Sequence, residues 1–137
     1  MNTFLTTYHM RVFNGLQRIH AHAMTEHGRF LALTARRGYV QCLFIENDAR
    51  ILCEASSNFY GFDRRISPSA RTAIAREGFD MDGRHGNFQR LLPIDNPATS
   101  LWNVADLMLE TLYRGYGARM TSKISVSAPL LAGEGFQ

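Results

Sequence analysis

Between Phe30 and Ser56 the chain carries three short strand-like runs with almost nothing between them, and that crowding restricts the fold more than any other feature. The runs are Phe30 to Ala35, Tyr39 to Glu46 and Arg50 to Ser56. Arg36-Arg37-Gly38 reads as the first turn. Asn47-Asp48 reads as the second, because Asn and Asp tolerate the positive φ angles of a tight hairpin. Consecutive strands joined by hairpins make an antiparallel sheet. If Asn47 and Asp48 are the two loop residues, Cys42 and Cys53 become cross-strand neighbours; a three-residue loop shifts the pairing by one.

Helical patterns flank this meander. Leu5, Tyr8, Val12, Leu16, Ile19 and Ala23 recur at three- and four-residue steps, which predicts an amphipathic helix over residues 3 to 27 with Gly28 at its end. Ser67-Pro68-Ser69 opens a short helix, with Ser67 as cap, Pro68 at the first helical position and Gly78 as terminator. Ala70, Ala73 and Ile74 are its inward positions. Phe79 to Gly86 reads as a polar loop and Asn87 to Ile94 as a fourth strand ending at Pro93. Asn96 and Pro97 open the last helix, residues 97 to 116. Residues 118 to 137 are rich in Ser, Ala and Gly without a period, and are expected to form a mobile C-terminal tail beyond a single domain of residues 1 to 117. The order predicts a two-layer α+β fold: an antiparallel sheet covered on one face by long N- and C-terminal helices and a short middle one.

With 137 residues the chain can bury a core without disulfides or metal. Hydrophobic residues make up 45% and charged residues 20%, as in ordinary globular proteins. No apolar run approaches the roughly 20 residues needed to span a bilayer. Asn2, Thr3, Tyr8, His9 and Arg11 interrupt the N-terminal apolar positions, so a cytoplasmic location is expected. The net charge of +3 comes almost entirely from Arg, Lys123 being the only Lys. The Arg residues are scattered, with Arg36-Arg37 and Arg64-Arg65 the only adjacent pairs, which disfavours nucleic acid as a partner.

The central segment resembles the TY-Chap domains, small bacterial proteins named for similarity to type III secretion chaperones. The residues that carry the resemblance are Gly38-Tyr39-Val40-Gln41-Cys42-Leu43-Phe44 and Cys53-Glu54-Ala55-Ser56-Ser57-Asn58-Phe59-Tyr60. They continue with Arg65-Ile66-Ser67, Glu77-Gly78-Phe79 and Gly86-Asn87-Phe88-Gln89-Arg90. The resembling stretch covers roughly residues 28 to 116. It implies a chaperone-like fold and a binding role beside secreted effectors or toxins, with no catalytic residues. The basic balance of this chain, with a pI of 9.2, departs from those chaperones, which are commonly acidic dimers.

Chemistry-bearing residues are few. His9, His20 and His27 fall at nearly one angle on the first predicted helix, but His9 and His20 would lie about 16 Å apart along it. A zinc ion needs all its ligands at about 2 Å. We therefore expect no metal and no cofactor, and read these His residues as a solvated or half-buried row. Cys42 as a nucleophile would need a neighbouring base, and the pattern places none, so both thiols are read as structural. Alternation puts Glu54 on the sheet face opposite Cys53 and Ala55, either solvated or anchoring the Asn58 loop or a partner. Neither a phosphate-binding loop nor a nucleophile elbow is present.

The expected function is thus a non-enzymatic protein-binding module, a chaperone or adaptor for a secreted effector or toxin. An immunity protein neutralising a toxin is the alternative, and a nucleic-acid binder a more distant one. Phe59, Tyr60, Phe62, Arg64 and Arg65 form the densest aromatic-plus-Arg cluster, the composition favoured at interface anchors. The last helix carries two apolar faces. Leu101, Val104, Ala105, Met108 and Leu112 lie on one; Trp102, Leu109, Tyr113 and Tyr116 lie on the other. Such breadth implies burial on two sides or a partner surface. Trp102, Leu109, Tyr113 and Tyr116 are the candidates for a homodimer or partner interface, and an exposed sheet edge is a second place for a partner to add.

Overall fold

The computed structural model describes residues 3–57, 66–82 and 86–134. Helix α1 spans Thr3–Ala21, and strands β1, β2 and β3 follow at Phe30–Ala35, Gly38–Ile45 and Arg50–Ala55. Helix α2 (Pro68–Arg76) and strand β4 (Phe88–Pro93) come next. Helix α3 (Pro97–Glu110) runs into a π-helical turn at Thr111–Gly115. The chain closes with β5 (Ser125–Ser127) and a 3₁₀ helix at Pro129–Glu134. The five strands form one antiparallel sheet in the order β4-β3-β2-β1-β5. The architecture is α+β with two layers.

Local chemistry explains most boundaries. The Ser67 hydroxyl accepts from the Ala70 N–H at 3.2 Å, and Asn96 Oδ1 accepts from the Thr99 N–H at 3.3 Å. Both residues are extended caps with proline in the first turn behind them. At the hairpin, Glu46, Asn47 and Asp48 all have positive φ, and the Ala49 N–H donates to the Glu46 carbonyl at 3.0 Å. The resulting register sets Cys42 opposite Cys53.

Helix α1 stops six residues earlier than its periodicity predicts. The Arg29 guanidinium donates to the carbonyls of Ile19 and His20, both at 3.3 Å. Those oxygens would accept from residues 23 and 24 in a longer helix. Arg29 is held there by Asp48 of the hairpin turn, through Nη1–Oδ1 at 2.6 Å and Nη2–Oδ2 at 2.9 Å, and lies over the Phe44 ring. One ion pair therefore ties the end of α1 to the tip of the β2–β3 hairpin.

The described residues of the segment expected to be a mobile tail are part of the fold. Ala118, Ala128 and Leu131 are buried, and β5 pairs with β1 through Ala32–Ser127 and Thr34–Ser125. Backbone ladder bonds need no hydrophobic pattern, which is why the sequence gives no sign of this strand.

The core lies between one sheet face and the helices. It takes Leu31, Val40, Cys42, Ile51 and Cys53 from the strands, and Leu16, Ile19, Leu101 and Met108 from α1 and α3. Among the described residues, no helix is long and apolar enough to cross a membrane.

Candidate functional site: the open face of the sheet

Hydrogen bonds fix which way each strand residue points. The Phe44 N–H donates to the Arg29 carbonyl, away from β3, and the Ser56 N–H donates to the Tyr39 carbonyl. Hence 39/56, 41/54, 43/52 and 45/50 are the hydrogen-bonded pairs of the β2–β3 ladder, and 42/53 is a close, non-hydrogen-bonded pair. Side chains at 40, 42, 51, 53 and 55 point to the helices and are buried. Their neighbours at 41, 43, 52 and 54 point to the other face and are only half-buried.

That other face has a definite pattern. Phe30, Leu43, Leu52 and Leu91 are cross-strand partners in turn, and make an apolar row across four strands. Leu91 is 47% exposed, among the most exposed large apolar side chains of the described chain. One step along the strands, about 7 Å away, lies a second row, Ala32 on β1 followed by the polar side chains of Gln41, Glu54 and Gln89. Gln41 Nε2 donates to Glu54 Oε1 at 2.8 Å and Gln89 Nε2 donates to Glu54 Oε2 at 3.1 Å. The carboxylate is thereby clamped between two amides with lone pairs left over. In the following row Asn87 Nδ2 donates to Tyr39 Oη at 2.9 Å. Of the two expectations for Glu54, placement opposite Cys53 and Ala55 holds. Its contacts are Gln41 and Gln89.

Both edges of the sheet are blunted. Asp80 pairs with Gln89 on the outer side of β4, its N–H donating to the Gln89 carbonyl at 2.7 Å. Pro93, also on the outward side, has no N–H to offer. Among the described residues this leaves the Leu91 backbone as the one complete outward-facing peptide pair of β4. The opposite edge strand, β5, is three residues long. Short, bridged and proline-bearing edges resist strand addition, so the edge expected to receive a partner is poorly suited to it.

The four candidates on the last helix do not form one exposed surface. Leu109 is 1% exposed and Tyr116 4%, both in the core. Tyr116 packs against Gly38, and its hydroxyl donates to the Ser56 carbonyl; burial pushes its pKa well above the usual tyrosine value. Tyr113 is half-buried between the Phe4 ring at 6.1 Å and the Arg119 guanidinium at 4.1 Å. Trp102 is exposed, but its ring meets Phe13 edge-on at 5.0 Å and His9 at 4.0 Å. The breadth of this helix is absorbed within the chain, by α1 along α3 and by α2 and β2 along the π-helical turn. The homodimer expectation loses the surface that motivated it. Phe59, Tyr60, Phe62, Arg64 and Arg65 lie outside the described residues.

His27 drops out of the expected row, because α1 ends at Ala21 and only His9 and His20 lie on the helix. His9 is buried between α1 and α3, with Nε2 at 3.2 Å from the Trp102 carbonyl and 3.0 Å from Asp106 Oδ1. His20 is half-buried and His27 exposed beyond the helix. Among the described residues no three His, Cys, Asp or Glu side chains are grouped to hold a metal ion. Burial, and then the neighbouring Cys53, raise the Cys42 pKa well above that of a free thiol, the reverse of what activates a cysteine nucleophile.

No family model, curated protein or solved structure matches this chain.

Proposed function

We propose that this chain is a non-enzymatic protein-binding module of the chaperone or adaptor kind, and that it docks a partner polypeptide on the open face of its sheet. The observation that carries the reading is the apolar row Phe30–Leu43–Leu52–Leu91 lying half-exposed beside the clamped carboxylate of Glu54. An apolar strip rimmed by polar groups is the usual character of a protein-binding surface.

The geometry supports one kind of partner chemistry. Rows on the sheet are about 7 Å apart, close to the roughly 6 Å between positions four apart on a helix. A segment presenting apolar side chains on one face, with Arg or Lys four residues away, would bury its apolar side chains on the leucines and set its cation against Glu54. Gln41 and Gln89 hold that carboxylate in place, so little side-chain entropy is lost on binding. The resemblance to TY-Chap domains supports a secreted effector or toxin as the source of the segment.

The test is selection of helical peptides from a random display library on the immobilised protein. Selected sequences should pair apolar residues with Arg or Lys at four-residue spacing. Binding should perturb the methyl resonances of Leu43, Leu52 and Leu91. It should fall at least tenfold in Leu91→Glu, a surface position, and more moderately in Glu54→Gln. Peptides that bind equally well to Leu91→Glu and leave those methyls unshifted would sink the assignment.

A further inference from the structure

Cys42 and Cys53 sit where two strands come closest. The ladder makes 42/53 a non-hydrogen-bonded pair, the type with Cα atoms about 4.5 Å apart. That separation falls within the range a disulfide spans, about 4.4–6.8 Å. The two Sγ atoms are 2.9 Å apart, both side chains point into the same core, and both cysteines are free thiols. A disulfide bond is about 2.05 Å long, so closure needs the sulfurs to approach by about 0.9 Å with no change of register.

We propose that Cys42 and Cys53 are an oxidative modification site, closing to an intramolecular cross-strand disulfide that locks the β2–β3 hairpin when a small peroxide reaches them. The step balances as follows. One thiolate attacks a peroxide oxygen; the S–O bond forms, the O–O bond breaks and hydroxide leaves, giving a sulfenic acid. The second thiolate attacks that sulfur; the S–S bond forms, the S–O bond breaks and a second hydroxide leaves. The thiol protons end on the hydroxides, so two thiols and hydrogen peroxide become one disulfide and two waters.

Burial sets the conditions. Neither thiol is solvent-exposed, so the oxidant must be small and enter through local opening of the hairpin. Burial raises the Cys42 pKa, which slows thiolate attack near neutral pH and makes closure faster in alkaline solution. The link ties residues 42 and 53 together across the Glu46–Ala49 turn, and holds the strands that carry Leu43, Leu52 and Glu54. Closing a loop of this length restricts the unfolded chain.

The experiment exposes the reduced, folded protein to hydrogen peroxide at pH 7 and pH 8.5, alkylates remaining thiols, and measures intact mass with peptide mapping. The expected result is loss of two hydrogens per chain and a single crosslink between the peptides containing Cys42 and Cys53. Closure should be several-fold faster at pH 8.5, reversed by dithiothreitol, and accompanied by a thermal midpoint several degrees higher. A Cys53→Ala variant should show no crosslink. Chains linked to one another, sulfinic acid without the internal link, or thiols that stay reduced while the guanidinium-unfolded chain oxidises would each overturn the proposal.

Discussion

Replacing Gly38 by Ala tests the packing around Tyr116 with a prediction whose sign is opposite to the default. In a strand, Ala is ordinarily better than Gly by about 0.5–1 kcal/mol, because glycine loses more backbone freedom on folding. At Gly38 a Cβ would lie 2.3 Å from Tyr116 Cε1, 2.4 Å from Tyr116 Cδ1 and 2.8 Å from Ser56 Oγ. Atoms cannot approach that closely, so the Tyr116 ring must leave its seat. Forcing a ring out of a packed core costs about 1–3 kcal/mol. The displaced hydroxyl also abandons the Ser56 carbonyl, adding about 1 kcal/mol. Net of the backbone gain, Gly38→Ala should destabilise by about 1–3.5 kcal/mol. For a chain of this size that lowers the thermal midpoint by on the order of 5–15 °C. Urea unfolding followed by circular dichroism, in wild type and in a Tyr116→Ala background, gives a double-mutant cycle. Without the ring, Gly38→Ala should be neutral or slightly stabilising. A stabilising Gly38→Ala in the wild type, or an equal penalty in both backgrounds, would refute the reasoning.

Leu131 is fully buried although it lies well beyond the expected domain end at 117; Leu131→Ala should cost about 2–4 kcal/mol in the same urea assay, against almost nothing if the segment were a tail. Asp48→Asn keeps a residue that tolerates the positive φ at this turn but leaves Arg29, whose side chain is 7% exposed, with its charge unpaired. A loss of about 2–4 kcal/mol is expected by denaturant titration, whereas Glu46→Gln at the exposed Arg50 pair should leave the midpoint unchanged. Burial raises the Tyr116 pKa, so the folded protein keeps this proton after the unfolded chain has lost it. The corresponding stability is intact below the ordinary tyrosine value, about 10, and declines as pH rises above it. Near-UV absorbance should therefore show one of the five tyrosines ionising late, only as the protein unfolds, and Tyr116→Phe should abolish that phase.

How much of the structure could be read in advance depended on the range of the forces involved. The caps Ser67 and Asn96, the prolines behind them and the turn at Asn47-Asp48 act over three or four residues, and each sits where the sequence places it. The same locality placed Cys42 opposite Cys53 and Glu54 on the far face, since a turn fixes register and alternation fixes facing. The candidate site itself was legible only in fragments. Gln41, Glu54 and Gln89 are far apart along the chain, and only strand order brings their side chains into one hydrogen-bonded row. Alternation within β2, β3 and β4 was the one available signal for the row Leu43–Leu52–Leu91.

Local sequence thus determined the elements themselves: periodic apolar spacing made α1 and α3, and turn chemistry made the meander antiparallel. Tertiary structure decided where those elements stop and what their surfaces meet. Arg29 ended α1 early because its guanidinium, from the connection just before β1, took the last carbonyls. Backbone pairing drew 125–127 onto β1 without any hydrophobic pattern to announce it. The broad apolar surface of the last helix was ambiguous until α1, α2 and β2 were found against it, because burial belongs to a pair of surfaces and one segment's sequence describes only its own.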